Sequence, residues 1–248
     1  MKVLAVNGSP RARASNTQRL LGPLLEGARE QGADVEELYL KELDVRPCTG
    51  CFSCWLRTPG KCVQQDDMAQ LHEKMLACDV FVLGFGLYIR DVPAGVQAVL
   101  ERMLPFAEPW LVESQGRTVH PTRHPGKGGR WVVISNCGFP EQEEFGTLTS
   151  RFGQMGVQPI VMAAGEFLGY MEGAPELAQP HEALRSSLRE AGRQLARTGS
   201  IPEELRAKLN RPVIEWAGVT AQQYRQFGNE SFRRALEGGG PAGGGTAP

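Results

Sequence analysis

Cys48, Cys51, Cys54 and Cys62 follow one another at the spacing C-x2-C-x2-C-x7-C. Three thiolates at that pitch wrap one corner of a cube and the fourth closes it, which is the logic of 4Fe–4S ligation. Zinc also accepts four thiolates, more often from two paired C-x2-C knuckles. A third reading keeps them as reduced thiols in a loop that packs Trp55. Disulfides would suit an exported chain. Residues 1–6 run straight into a loop without the apolar stretch and cleavage site of a signal peptide, so a cytoplasmic protein is expected. Cys78, in an apolar segment, reads as a small core residue.

The second chemical stretch is residues 7–17, N-G-S-P-R-A-R-A-S-N-T. It follows an apolar run, residues 2–6, and leads into a helical pattern over 17–31 with leucines at 20, 21, 24 and 25. A strand that turns into a helix through small hydroxyl and amide residues aims N–H groups at one concave spot, and that spot suits an anion. Ser9, Ser15 and Thr17 supply hydroxyls, Asn16 an amide, Arg11 and Arg13 guanidiniums. The loop lacks G-x-G-x-x-G and G-K-S/T, which removes the dinucleotide fingerprint and the P-loop. A phosphate monoester fits these donors; plain capping of the helix is the alternative.

Positioning these groups takes a sheet. Strand-like segments at 2–6, 34–40, 79–84, 130–135 and 157–163 alternate with helix-like segments at 17–31, 67–78, 95–106, 143–155 and 182–197. That alternation predicts an α/β fold with a five-stranded parallel sheet in the flavodoxin-like order 2-1-3-4-5 and helices on both faces, where ligands bind beyond the carboxyl ends of the strands. The loops after strands one, three and four then share one edge: residues 7–17, 84–93 and 136–141. Residues 107–129, with three prolines and two histidines, form a connection long enough for a lid, interface arm or binding loop. His120 and His124 could protonate a product, with a solvent-facing side chain as the plainer reading. Asp66 and Asp67 read as helix-capping residues. Amphipathic helices at 202–209 and 220–236 make residues 201–237 a C-terminal extension to a domain over 1–200; residues 238–248, G-G-G-P-A-G-G-G-T-A-P, are expected to be disordered. With 27 basic against 28 acidic side chains the chain lacks the basic excess of a nucleic-acid binder. No run is long enough to span a bilayer.

Taken together, N-G-S-P-R and S-N-T within 7–17, C-T-G-C-F-S-C-W-L-R-T-P-G-K-C-V-Q-Q-D-D-M at 48–68, and L-Y at 87–88 followed by E-R-M-L-P at 101–105 resemble the flavodoxin-like NAD(P)H-dependent FMN reductase family. The likeness is closest to its iron–sulfur flavoprotein branch and runs over roughly residues 1–200. The resemblance implies FMN, its phosphate held by Ser9, Arg11, Ser15, Asn16 and Thr17. It sets Leu87, Tyr88 and Ile89 nearest the isoalloxazine, with Phe85-Gly86 where members carry Ser/Thr-Pro; glycine backbone there can still offer N–H groups. Asn136, Cys137, Gly138 and Phe139 match the third flavin loop, whose backbone donors face ring N1 and O2. The cysteine motif is similar to that of iron–sulfur flavoproteins, which have a shorter last spacer. Hydride arrives at flavin N5, so no catalytic side chain is assigned. The implied activity carries electrons from NAD(P)H to a flavin, quinone or other acceptor. The alternative is a non-enzymatic electron carrier served by a partner reductase. A homodimer or homotetramer is implied, with residues 107–129 and the C-terminal helices as contact material.

Overall fold

The computed structural model describes residues 1–114, 116–157 and 159–238. The apolar runs become strands β1 (Lys2–Asn7), β2 (Asp34–Tyr39) and β3 (Val80–Gly86). A small hairpin, β4 (Val112–Ser114) with β5 (Arg117–Val119), precedes β6 (Arg130–Asn136) and β7 (Ile160–Met162). The five large-sheet strands are all parallel in the order β2-β1-β3-β6-β7, the topology expected from the sequence. β3 is the central strand, and its V-F-V-L run is fully buried because helices cover both faces.

Helix α1 (Asn16–Glu30) buries Leu20, Leu21, Leu24 and Leu25. It packs against α7 (Ala178–Thr198), with α6 (Phe167–Gly173), α8 (Glu203–Leu209) and α9 (Val213–Trp216) on the same face. α1 and α7 approach so closely at Gly27 and Gly192 that a Cβ on either would lie 1.9 or 1.8 Å from a carbonyl of the other helix. On the opposite face lie α3 (Met68–Ala77), α4 (Ala94–Glu101) and α5 (Gly146–Gln154). A one-turn helix, α2 (Ser53–Leu56), interrupts the cysteine loop, and α10 (Ala221–Leu236) ends the described chain.

The helix expected over 95–106 stops at Glu101 and continues as a 3-10 turn, Leu104–Phe106, where Pro105 has no N–H for an α-helical bond. Helix α6 and the hairpin were not read from the sequence; both are short pieces, three to seven residues long. Residues 203–216 are bound into the main fold. Leu209, Val213 and Ile214 are buried in the α1/α7 core, Asn210 Oδ1 accepts the Val161 N–H at 2.7 Å, and Val213 N–H donates to the Ala163 carbonyl. The tail thus covers the open edge of β7, a strand edge that would otherwise invite pairing. The stretch expected to be disordered lies outside the described residues from 239 onward. Among the described residues no helix is long and apolar enough to cross a membrane.

Candidate functional site

The loops after β1, β3 and β6 meet at the carboxyl edge of the sheet, as the topology requires. The first is organised by Asn7. Its side-chain carbonyl accepts the Ser9 N–H at 3.0 Å, and its amide donates to Gln18 at 2.9 Å. Ser15 caps α1 by accepting the Gln18 N–H at 3.0 Å, so its hydroxyl is committed to the fold. Arg13 turns away from the cleft, pairs with Glu42 and lies over the Tyr39 ring. Ser9, Arg11, Asn16 and Thr17 remain facing a cleft of about 140 Å3 with Gly86, Leu87, Tyr88, Asn136, Cys137, Gly138 and Glu166. An adjoining hollow of about 550 Å3 shares Ser9 and Tyr88 with it and carries Ile89 on its wall.

Asn136 knits the three loops. Its carbonyl accepts the Leu87 N–H at 2.7 Å, and its amide donates to Thr17 Oγ1 at 3.2 Å. Gly165 passes so close that a Cβ there would sit 2.7 Å from Asn136 Oδ1. Asn16 is buried, accepts from Arg19 through Oδ1, and leaves Nδ2 without a hydrogen-bond partner. A buried donor left open in this way can meet an acceptor on a bound group. The N–H groups of Asn16 and Thr17, first in α1, have no intrahelical acceptor either. The cleft therefore fits a phosphate.

Two residues of this site escaped the sequence reading. Glu166, at the N-terminus of α6, reaches across to Arg11 at 3.5 Å. No motif signals it, because it comes from the loop after β7 and meets Arg11 only through the fold. Tyr224 donates to the Gly138 carbonyl at 2.7 Å from the distant helix α10. Phe85 packs in the core under the loop, and Phe139 is exposed. Tyr88 to Asp91 form a two-residue hairpin, Tyr88 and Asp91 exchanging backbone bonds at 2.9 and 3.0 Å. Ile89 and Arg90 sit at its tip with φ of 48° and 63°.

The cysteine loop has a built neck. Arg102 is buried and grips Asp66 with both Nη atoms, at 2.7 and 2.8 Å, while Nη1 also donates to the Arg46 carbonyl. Asp66 accepts in turn from Arg46 N–H, which ties residue 46 to residue 66 on either side of the loop. Asp66 also accepts the Met68 N–H at 3.2 Å, as a capping residue would, but its main partner is the arginine, which holds its carboxyl down at about 2. Asp67 makes no side-chain cap to α3; it accepts the Asp44 N–H.

The sulfurs are supplied with donors suited to thiolates. Gly50 N–H points at Cys48 Sγ at 3.4 Å; the Ser53 side chain, its N–H and the Thr49 hydroxyl bring the exposed Cys51 down to about 7; and the Arg102 guanidinium reaches Cys62. Burial pushes Cys54 up, with the other three sulfurs adding to the shift. On donor chemistry the loop fits a thiolate-bound metal group, although among the described residues no three ligands are drawn into a closed set. Burial raises Cys78 and Cys137 to about 11, so they stay thiols, as core residues do. Trp55 packs at a tilt against Phe52 and His120, and both His120 nitrogen contacts are to the carbonyls of Glu108 and Trp110 through Nδ1. His124 lies edge-on to Phe106. Neither histidine lines the cleft.

The chain is similar to known proteins in sequence and in fold. Residues 1–116 match the family model "NADPH-dependent FMN reductase". An iron–sulfur flavoprotein of Archaeoglobus fulgidus is 30% identical over 165 residues, 66% of this chain and 68% of that protein. One from Methanosarcina thermophila is 33% identical over 102 residues, covering 41% of this chain and 52% of that protein. The chain thus spans about two thirds of the first relative and about half of the second. Among solved structures, an NAD(P)H:quinone oxidoreductase from Methanothermobacter marburgensis superposes with a TM-score of 0.55 at 18% identity, over 79% of this chain and 96% of that one. An FMN-dependent NADH-azoreductase from Bacillus anthracis, solved with FMN, gives 0.56 at 16%, over 79% and 99%. At those identities the structures establish the fold, and it is the sequence matches that decide descent: the chain belongs to the flavodoxin-like NADPH-dependent FMN reductase family, close to its iron–sulfur flavoprotein branch.

Proposed function

We propose that the cleft holds FMN, its phosphate against Ser9, Arg11, Asn16 and Thr17, and its ring between Gly86–Ile89 and Asn136–Phe139. The protein is an FMN-dependent oxidoreductase of its family, and the proposed reaction moves electrons from NAD(P)H to a small acceptor such as a free flavin or quinone. The open Nδ2 of buried Asn16 carries the phosphate assignment. Ser15 contributes by holding the helix start in place rather than by touching the phosphate. FMN supplies the hydride-accepting N5; the protein supplies a dry face, phosphate donors and N–H groups near ring N1 and O2. Ser9→Ala with Thr17→Ala is expected to weaken FMN retention about tenfold or more with an unchanged circular dichroism spectrum. Unchanged FMN affinity in that double variant refutes the phosphate placement.

Steady-state oxidation of NADH and NADPH by the FMN-loaded protein separates a reductase from a carrier that takes electrons from a partner enzyme. Turnover with either supports the reductase; none with both refutes it. We further propose that Cys48, Cys51, Cys54 and Cys62 hold a thiolate-bound metal group, a 4Fe–4S cluster by the likeness to iron–sulfur flavoproteins. The Arg102–Asp66 neck and the N–H and hydroxyl donors to sulfur support that reading. Iron, zinc and acid-labile sulfide measured after anaerobic purification test it: zinc alone overturns the cluster, and a metal-free yellow protein overturns the metal site altogether. The chain is proposed to act in the cytoplasm as a homodimer or homotetramer, and a monomer mass by light scattering across micromolar concentrations would refute the assembly.

A further inference from the structure

The loop N-C-G-F at 136–139 has three consecutive carbonyls, and each is held from outside the loop. Cys137 O accepts Gly165 N–H at 2.7 Å, Phe139 O accepts Ala164 N–H at 2.6 Å, and Gly138 O accepts the Tyr224 hydroxyl at 2.7 Å. The first two donors come from the backbone after β7, so they are part of the sheet edge. The third is a side chain on α10, more than eighty residues away in sequence. In a trans peptide the C=O and the following N–H point in opposite directions. Fixing Gly138 O toward α10 therefore fixes Phe139 N–H in the opposite direction, away from α10. Glycine at 138 offers little resistance to rotation of that plane. Among the described residues neither Gly138 N–H nor Phe139 N–H has an acceptor.

Tyr224 is itself held firmly. Its ring meets Phe167 edge-on at 6.2 Å, and one turn later Phe227 packs on Tyr170 at 4.5 Å. Arg225 pairs with Glu141 at 3.2 Å, and a Thr220–Gln223 capping box starts the helix. Burial, reinforced by the nearby Glu166 carboxylate, keeps the phenol protonated and so a donor.

We propose that α10 is a latch on the flavin loop and that Tyr224 is a positioning residue setting how strongly the site prefers reduced over oxidised FMN. The inference rests on the FMN reading above. Two electrons and one proton convert oxidised FMN to its reduced anion, with the negative charge on the N1–O2 edge of the ring. A ring edge that meets Phe139 N–H stabilises that charge; one that meets the Gly138 carbonyl repels it. The Tyr224 hydroxyl holds the first orientation and opposes the second. Helix α10 thereby acts on the redox balance without touching the cofactor.

Tyr224→Phe removes the hydroxyl and keeps the ring packing. Dissociation constants for oxidised FMN, by fluorescence, and for reduced FMN, anaerobically under dithionite, are measured on the full chain. Oxidised FMN is expected to bind within twofold of wild type and reduced FMN five- to tenfold more weakly. That ratio lowers the two-electron potential of bound FMN by about 20–30 mV, a tenfold change being about 30 mV. Phe227→Ala, which loosens the helix as a whole, should shift the ratio in the same direction, and Tyr170→Phe should leave it unchanged. Equal losses for both redox forms, or no loss, overturn the inference while leaving the FMN site in place. Wild-type protein that binds no FMN in either state overturns the site reading itself, and the inference with it.

Discussion

Ile89 occupies a position where its own chemistry opposes the backbone, and replacing it separates stability from function. A two-residue hairpin with positive φ at both central positions normally carries Asn-Gly; here Ile89 and Arg90 adopt φ of 48° and 63°. A left-handed conformation costs an L-residue about 1–2 kcal/mol, and a β-branched residue is the least tolerant. Ile89 is 99% exposed, so removing its side chain forfeits almost no burial. Glycine adds back about 0.5–1 kcal/mol of chain entropy lost on folding. The net for Ile89→Gly is a stabilisation of about 0.5–1 kcal/mol, or about 1–4 °C in Tm for a chain of this size. The strained turn persists in the native protein because Arg90 pairs bidentately with Glu144, at 2.8 and 3.1 Å, and Asp91 with Arg151 at 3.0 Å. Residues held off their preferred conformation by such braces gather at ligand clamps. In the folded protein the glycine loop is still freer to leave the clamp conformation than the isoleucine one, so FMN affinity should fall by about twofold. Thermal unfolding of the flavin-free protein and FMN titration give the two readings. A lower Tm refutes the strain argument, and a higher Tm with unchanged FMN affinity refutes the role of the loop as a clamp.

Glu166→Gln should bind FMN about threefold to tenfold more tightly while leaving riboflavin affinity unchanged. A carboxylate within reach of Arg11 both repels a phosphate dianion and competes for its guanidinium; equal effects on both ligands would refute that. Asp66 is held at about 2 against an ordinary 3.8. Its folded-state value is depressed, so its stabilisation is complete above pH 4–5 and is lost as pH falls through 3.8 toward 2, a loss of about 2 kcal/mol. Urea unfolding should show the gap between wild type and Asp66→Asn shrinking by that amount between pH 5 and pH 2; a constant gap contradicts the pairing. At neutral pH Asp66→Asn should cost about 3–5 kcal/mol, because Arg102 is left buried and unpaired. Arg102→Gln should lower iron and sulfide content at least twofold while FMN remains stoichiometric, and an unchanged iron content refutes a role for the guanidinium at Cys62.

The sheet order and the three loops were legible in the sequence because they rest on local signals. The V-F-V-L run can only be a buried strand here, and Ser15 before the leucine stripe of α1 marks a helix start. The same local signal left Ser15 open to two readings, cap or phosphate ligand, and the hydrogen bond to Gln18 assigns it to the cap. Glu166 and Tyr224 were not legible, since each reaches the site from an element whose place is set by packing and not by its own pattern. Asp66 was legible only in part, for a related reason: it does accept the Met68 N–H as a cap, but its main partner is Arg102. An aspartate before a helix looks like a cap, and nothing nearby in sequence announces Arg102, thirty-six residues later, as its buried partner.

The division of the cleft along the chain carries a consequence for specificity. The match to the FMN reductase family model ends at residue 116, and within it lie the phosphate donors and the Tyr88–Asp91 hairpin. The remaining wall comes from later in the chain, from Asn136, Cys137 and Gly138 on β6 and its loop and Glu166 after β7, and Tyr224 on α10 braces that loop from behind. Phosphate recognition is a requirement common to any FMN site, and local hydroxyl, amide and guanidinium groups meet it. In the proposed FMN site, the edge of the ring that carries charge after reduction would face the later segments. Residues beyond 116 are therefore the ones positioned to set the potential of bound FMN and the acceptor it favours. Glu166 and Tyr224 act at different places, one setting negative charge beside Arg11 and the other holding the Gly138 carbonyl from α10. Orientation at the loop can thus be varied through Tyr224 while the phosphate end stays unchanged, whereas a change at Glu166 is felt at Arg11 and so at the phosphate.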